Sequence, residues 1–182
     1  MQRELEAFFV KPTSERYHSA REAVISDSAF RIDYADILRL TSLVRARRMS
    51  EAQLELDLLL PAWALSPRIH HVGSQLANYF HDREDAELFQ FMEQACLDGL
   101  CQSGGGSIED PYAAIYPTDP LDVLRELGET PVTQSVRRGD CLLDVFYCQS
   151  GAEVAFSIGV SSPSVAVAKV RPASRPEVVN FT

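Results

Sequence analysis

Lysine is nearly missing from this chain: it occurs only at Lys11 and Lys169, both close to the ends, so a Schiff-base mechanism has almost nothing to draw on. Histidine is scarce as well, with His18, His70, His71 and His81 the full set, and no His-Glu-x-x-His or Cys-x-x-Cys spacing joins them. On a helix His70 and His71 point about 100° apart and make poor co-ligands, so no metal site is expected. Gly-x-Ser-x-Gly is absent, and with it the strained elbow of a serine hydrolase; Ser107 follows glycines but has none downstream. A phosphate-gripping loop needs Lys and Ser or Thr after its glycines, whereas Gly104 to Ser107 runs into Ile108, Glu109 and Asp110, and two carboxylates there repel a nucleotide. No catalytic residue and no cofactor is therefore assigned.

Long apolar runs are missing too. The longest uncharged stretch near the end, Val154 to Ala168, contains Pro163 and four serines and is too short to span a bilayer. The opening Met1-Gln2-Arg3-Glu4-Leu5-Glu6 lacks the positive region and apolar run of a secretory signal. Of the four cysteines, Cys141 and Cys148 flank one strand-like run, roughly 23 Å apart at about 3.3 Å per residue, and cannot pair there; Cys96 falls on the apolar side of a helix. A reducing, cytoplasmic setting is the expectation.

The chain does carry acid, with 26 acidic against 17 basic residues. Residues 1 to 48 hold nine basic and seven acidic groups, 49 to 130 hold three and fifteen, and 131 to 182 hold five and four. The excess lies in the middle third. Such a surface repels phosphate backbones, so nucleic acid is not an expected partner. The middle third reads either as a landing surface for a basic partner or as ordinary solvated helix faces.

Apolar spacing of three and four makes the N-terminal two-thirds a run of antiparallel helices. Tyr17, Ala20 and Val24 mark a short one; Asp33 caps the next, with Tyr34, Ile37, Leu38, Thr41 and Val44 on one face. Ser50 to Gln53 has the form of a capping box before Leu56, Leu59, Leu60 and Trp63, and Pro61 kinks or ends that helix. Ser66-Pro67 opens a helix with the stripe Ile69, Val72, Gly73, Leu76, Ala77 and Phe80. After His81, Asp82 and Arg83 a second stripe follows, Leu88, Phe91, Met92, Ala95 and Cys96, completing a helical hairpin. The run is similar in general shape to tetratricopeptide-type hairpins, although the full 34-residue consensus does not lie over it.

Ser103-Gly104-Gly105-Gly106-Ser107 forces a loop. Tyr112 to Tyr116 is a short apolar stretch, and Asp119 then caps a compact helix, with Asp122 in its first turn, that Gly128 closes. From Pro131 the period becomes two, with strands expected at 132–136, 141–147, 152–158 and 165–170 and turns at 138–140 and 149–151. Val154, Phe156 and Ile158 form the buried face, and the part after Pro172 reads as an extended tail over 171–182. The expected fold is thus α+β over a single domain, 1–182: repeat-like antiparallel helical hairpins over 1–130, then a small antiparallel β-meander over 131–170.

The Gly-rich loop, Asp110-Pro111-Tyr112, Ile115, and Leu121-Asp122-Val123-Leu124 before Gly128 resemble the core of an uncharacterised bacterial domain-of-unknown-function family. Gln134-Ser135, Asp144-Val145 and Val154 to Ile158 stand at the matching closing positions. The resemblance spans roughly 10–158 and is most specific over 99–158. Leu121 and Ala155 stand where that pattern has tyrosine. It implies an α+β fold and carries no known activity, cofactor or catalytic residue.

The leading functional expectation is a non-enzymatic module for another protein or peptide. Its site would be the loop, with Gly105, Ser107 and Asp110 supplying polar groups and Tyr112 or Tyr116 an aromatic anchor. A plainer alternative docks Tyr112 and Ile115 onto the core. The competing expectation is an enzyme using carboxylates beside the loop, drawn from Glu109, Asp110, Asp119 and Asp122. A third possibility pairs Val165 to Val170 between chains.

Overall fold

The computed structural model describes residues 1–27, 30–138, 142–158 and 179–180. Two short helices come first, α1 (Gln2–Val10) and α2 (Ser14–Ile25), and Thr13 caps the second through its hydroxyl, which accepts the Arg16 N–H at 3.3 Å. Tyr17, Ala20 and Val24 lie on one buried side of α2, as their spacing predicts.

Asp33 opens α3 (Tyr34–Arg45), its carboxylate accepting the Ala35 N–H at 2.8 Å. The buried face of α3 runs through Ile37 and Leu40, while Tyr34 and Leu38 face solvent. Ile37 and Val44 thus lie inward as expected, and Leu40 and Leu43 take the inward places expected of Tyr34 and Leu38. Next, α4 (Met49–Leu59) starts one residue before Ser50, so the expected capping box does not form. Arg47 turns the chain with φ 57, and the Arg48 guanidinium pairs with Glu51 instead. Leu60 and Pro61 end α4 as predicted.

The clearest hairpin is α5 (Pro67–Tyr79) with α6 (Arg83–Cys101). Ser66 stands at the expected N-cap, but its hydroxyl is buried and bonds nothing. Ile69, Val72, Gly73, Leu76 and Ala77 are buried, whereas Phe80 is exposed at the turn. On α6 Ala95 and Cys96 are buried as expected, beside Ala86, Leu97 and Leu100, with Phe89 packed against them; Leu88 and Phe91 point outward, contrary to the expected stripe. Phe89 takes the inward place because Gly73 of α5, without a side chain, leaves room for its ring. The helices α1 and α2, α3 and α4, and α5 and α6 pack as successive neighbours.

After the Gly-rich loop come β1 (Tyr112–Ala114), α7 (Asp119–Glu126), β2 (Pro131–Arg138), β3 (Leu142–Cys148), β4 (Glu153–Ile158) and β5 (Val179–Asn180). Gly128, at φ +71, closes α7, and Gly151, at φ +89, turns β3 into β4. The sheet order is β1-β4-β3-β2-β5. Strands β2, β3 and β4 form the expected antiparallel meander; β1 adds to it in parallel, with Tyr112 opposite Phe156. Nothing in the local sequence announces that pairing, because a parallel neighbour is brought in by the intervening chain rather than by a turn.

Alternation along β3 sends Phe146 and Cys148 into the core shared with the helices, and Leu143 and Val145 to the opposite face, where Ala155, Ile108 and Tyr147 join them. Val154 and Phe156 are buried as expected. The backbone of Ile158 closes β4; residues 139–141, the expected strand at 165–170 and, apart from the backbone of β5, the tail at 171–182 lie outside the described residues. Among the described residues no helix is long and apolar enough to cross a membrane.

Candidate functional site

The loop residues expected to bind a partner hold the loop itself together. The Gly105 N–H donates to the Asp110 carbonyl at 3.0 Å and to its carboxylate at 2.7 Å, and the Asp110 N–H donates to the Ser107 hydroxyl at 3.1 Å. The Gly106 carbonyl accepts the Ala155 N–H of β4 at 2.8 Å, which stitches the loop to the sheet. Gly106 has φ +75, and a Cβ there would stand 2.6 Å from the Tyr112 ring. The glycines thus answer to close packing and backbone shape.

Gly105, Ser107 and Asp110 do come together, at an exposed tip; Tyr112 lies beneath them, buried against Phe156 at 5.6 Å. Tyr116 is elsewhere. Its ring stacks on Trp63 at 4.9 Å and 15°, its hydroxyl donates to the Ala62 carbonyl at 3.1 Å, and the same oxygen accepts the Leu65 N–H at 3.3 Å. In this conformation neither ring is presented to a partner, which corrects the expected anchor at the rim: the apolar core takes both rings. Glu109 is exposed and Asp110 is turned into the loop, so the two form no convergent pair.

The carboxylates that burial does perturb are Asp119 and Asp122. Helix α7 begins at Asp119 with Thr118 as N-cap, so Asp119 does not cap it. Its carboxyl turns back and accepts the N–H groups of Ile115 at 2.8 Å and Tyr116 at 2.9 Å, fastening the corner between β1 and α7. Burial pushes Asp119 up to about 7, although the two amide donors and Arg21 favour the charged form. Asp122 is fully buried and paired with Arg68 of α5; burial raises it, and the Arg68 and Arg125 guanidiniums pull the other way.

From Asp122 a polar seam runs outward across α7, α6 and α5. Arg125 lies 3.8 Å from Asp122 and 3.6 Å from Glu93; Glu93 holds His71 Nδ1 at 3.1 Å, and His71 Nε2 meets the Gln75 amide at 3.0 Å. His70, one residue away, is buried with Nε2–H on the Ala64 carbonyl at 2.8 Å, and burial lowers it to about 4. The seam was legible only as an i, i+4 pair, His71 with Gln75; its other links cross between helices.

Among the described residues no group of three or more His, Cys, Asp or Glu is placed to hold a metal ion. Burial raises the Cys96 thiol and holds Cys101 at about 11, so both remain protonated and poorly nucleophilic at neutral pH.

An open pocket of about 230 Å³ lies where α2 ends and α4 ends, lined by Met1, Val24, Asp27, Phe30, Leu58, Pro61 and Ala62. Leu58 stands 75% exposed at its edge, and Leu54, one turn earlier on α4, is 67% exposed. Sequence reasoning missed this place, because Leu54 and Leu58 read as part of a helix rich in leucine; their spacing of four, off the Leu56–Leu59 face, was the signal.

No family model matches the chain, and neither a curated protein nor a solved structure matches it.

Proposed function

We propose that the protein is a non-enzymatic interaction module that takes a segment of another protein at the pocket beside α4. The observation that carries this reading is the exposed pair Leu54 and Leu58, one helical turn apart, with Leu58 forming part of an apolar pocket. Two large apolar side chains left in water on one helix face, next to a concavity of side-chain size, suit an apolar anchor from a partner. Helix α4, which presents Leu54 and Leu58, carries Glu51, Glu55 and Asp57 and no basic residue, which favours a basic amphipathic segment. The Gly-rich loop contributes rigidity rather than contact, since Asp110 and Ser107 already serve the loop's own amides.

Panning a random-peptide library on the protein tests this. Recovered peptides are expected to carry an apolar residue flanked by Lys or Arg, to bind more weakly as salt rises, and to lose binding at least tenfold to the variant Leu54→Glu/Leu58→Glu. That variant should melt like the parent, because both side chains already face solvent. Peptides that bind parent and variant equally, or that are lost instead to Glu109→Lys at the loop, would overturn the assignment of the pocket.

A further inference from the structure

At Gly99 of α6 a Cβ would stand 2.5 Å from the Tyr17 ring of α2, so Tyr17 fills the space into which this side of α6 points. Ser14, at the start of α2, holds the contact by donating its hydroxyl to the Gln102 carbonyl at 3.1 Å. Leu88, Phe91, Ala95 and Gly99 follow one another at steps of three, four and four, which places them on one stripe of the helix. Ala95 and Gly99 are buried, whereas Leu88 and Phe91 are each 47% exposed. The stripe is therefore covered over its C-terminal half and bare over its N-terminal half. Another side of α6 already serves α5, with Phe89 at Gly73 and Glu93 at His71.

The bare half has acidic flanks. Glu84 lies four residues before Leu88 and Glu87 four before Phe91, so each exposed carboxylate sits one turn along the same side. Helix α6 as a whole carries Glu84, Asp85, Glu87, Glu93 and Asp98 against one base, Arg83, which already pairs with Glu87 at 2.7 Å. Two copies of the chain meeting through this stripe would set these carboxylates against one another, and like charges brought together oppose association. A partner with Lys or Arg beside its apolar residues complements both the stripe and its flanks.

We infer that the bare half of this stripe is the docking face for a basic amphipathic helix of another protein, which continues along α6 the cover that α2 begins. A helix suits the place because the covered half already takes one, and because apolar residues three apart present a ridge that the apolar side of a second helix can straddle. Glu84 to Phe91 spans about 10 Å at roughly 1.5 Å per residue, so about two turns of the partner reach from end to end. The face shares no residue with the pocket beside α4, and the two readings stand or fall separately.

The probe is a synthetic peptide of about fourteen residues, long enough to form a helix, with leucines at steps of three and four and lysine elsewhere. Its fluorescence anisotropy is followed on the full chain carrying Leu54→Glu/Leu58→Glu, so that the pocket beside α4 takes no part. Binding is expected, weaker as salt rises, and reduced about tenfold or more when Leu88→Ser/Phe91→Ser is added. Leu88 and Phe91 already meet water, so melting should stay close to the parent's. A scrambled peptide of the same composition should bind clearly more weakly, and Glu84→Lys/Glu87→Lys, which keeps the apolar stripe, should weaken the amphipathic peptide several-fold. No binding, equal binding of the two peptides, or binding that neither pair of substitutions on α6 reduces would overturn the docking face. So would a dimer in sedimentation that Leu88→Ser/Phe91→Ser abolishes, since the stripe would then belong to a second copy. Should Leu88→Ser/Phe91→Ser fail to fold, the pair at Glu84 and Glu87 decides.

Discussion

Asp119 and His70 are buried in the same core and displaced across each other's ordinary range, the carboxyl raised to about 7 and the imidazole lowered to about 4. Burial is the main cause for both, since it disfavours whichever form is charged. Their consequences for stability have opposite signs. The folded chain keeps a proton on Asp119 that the unfolded chain releases above 3.8, so stability present below that value is lost as pH rises to about 7. The folded chain lacks a proton on His70 that the unfolded chain takes up below 6.5, so stability present above that value is lost as pH falls to about 4.

Between about pH 4 and 6.5 the two slopes oppose each other, and the parent protein should show a shallow profile of stability against pH. Each alone is worth on the order of 3 kcal/mol across its window. Urea midpoints for Asp119→Asn should therefore climb steeply with pH over that interval, and those for His70→Gln should fall. Identical profiles for Asp119→Asn and the parent would show that Asp119 titrates in the ordinary range.

Gly106 and Gly151 share a left-handed backbone but not their surroundings. At Gly106 a Cβ meets the Tyr112 ring, whereas at Gly151 nothing lies within 4 Å. Gly151→Ala should cost about 1 kcal/mol, the backbone preference alone. Gly106→Ala should cost clearly more, because Tyr112 must shift against Phe156 or the loop must leave β4. Chemical denaturation of the two variants side by side measures the difference; equal losses would mean that the ring moves freely.

Arg68→Met removes the main partner of a carboxylate with no exposure to water. Stranding Asp122 in this way should cost about 3 kcal/mol or more, with Arg125 at 3.8 Å recovering part of it. Adding Asp122→Asn to Arg68→Met should restore much of the loss, and a double-mutant cycle on thermal melts reads the coupling. Additive losses in that cycle would show that the two residues do not interact.

Local chemistry made much of this fold readable. Asp33 caps α3, Pro67 opens α5, Gly128 and Gly151 sit where φ must be positive, and the period of two after Pro131 becomes β2, β3 and β4. Each depends on residues within a few positions of one another. The side of a helix that faces inward was readable only approximately: Leu40 displaced Leu38 and Phe89 displaced Leu88 and Phe91, because the choice belongs to the neighbouring helix, as the gap at Gly73 shows.

The candidate site lay almost wholly beyond the sequence. Asp119, a textual N-cap, instead fastens the corner behind it; Tyr116, a textual surface aromatic, stacks on Trp63 from far along the chain; and the pocket joins Met1 to Leu58 and Pro61. Sequence alone determined helices α2 to α7, strands β2 to β4, the breaks between them and the acidic balance, but not α1, β1 or β5, since propensity, capping and charge act locally. Tertiary packing alone decided which carboxylates left water and which leucines stayed in it, because burial is a property of everything that surrounds a side chain.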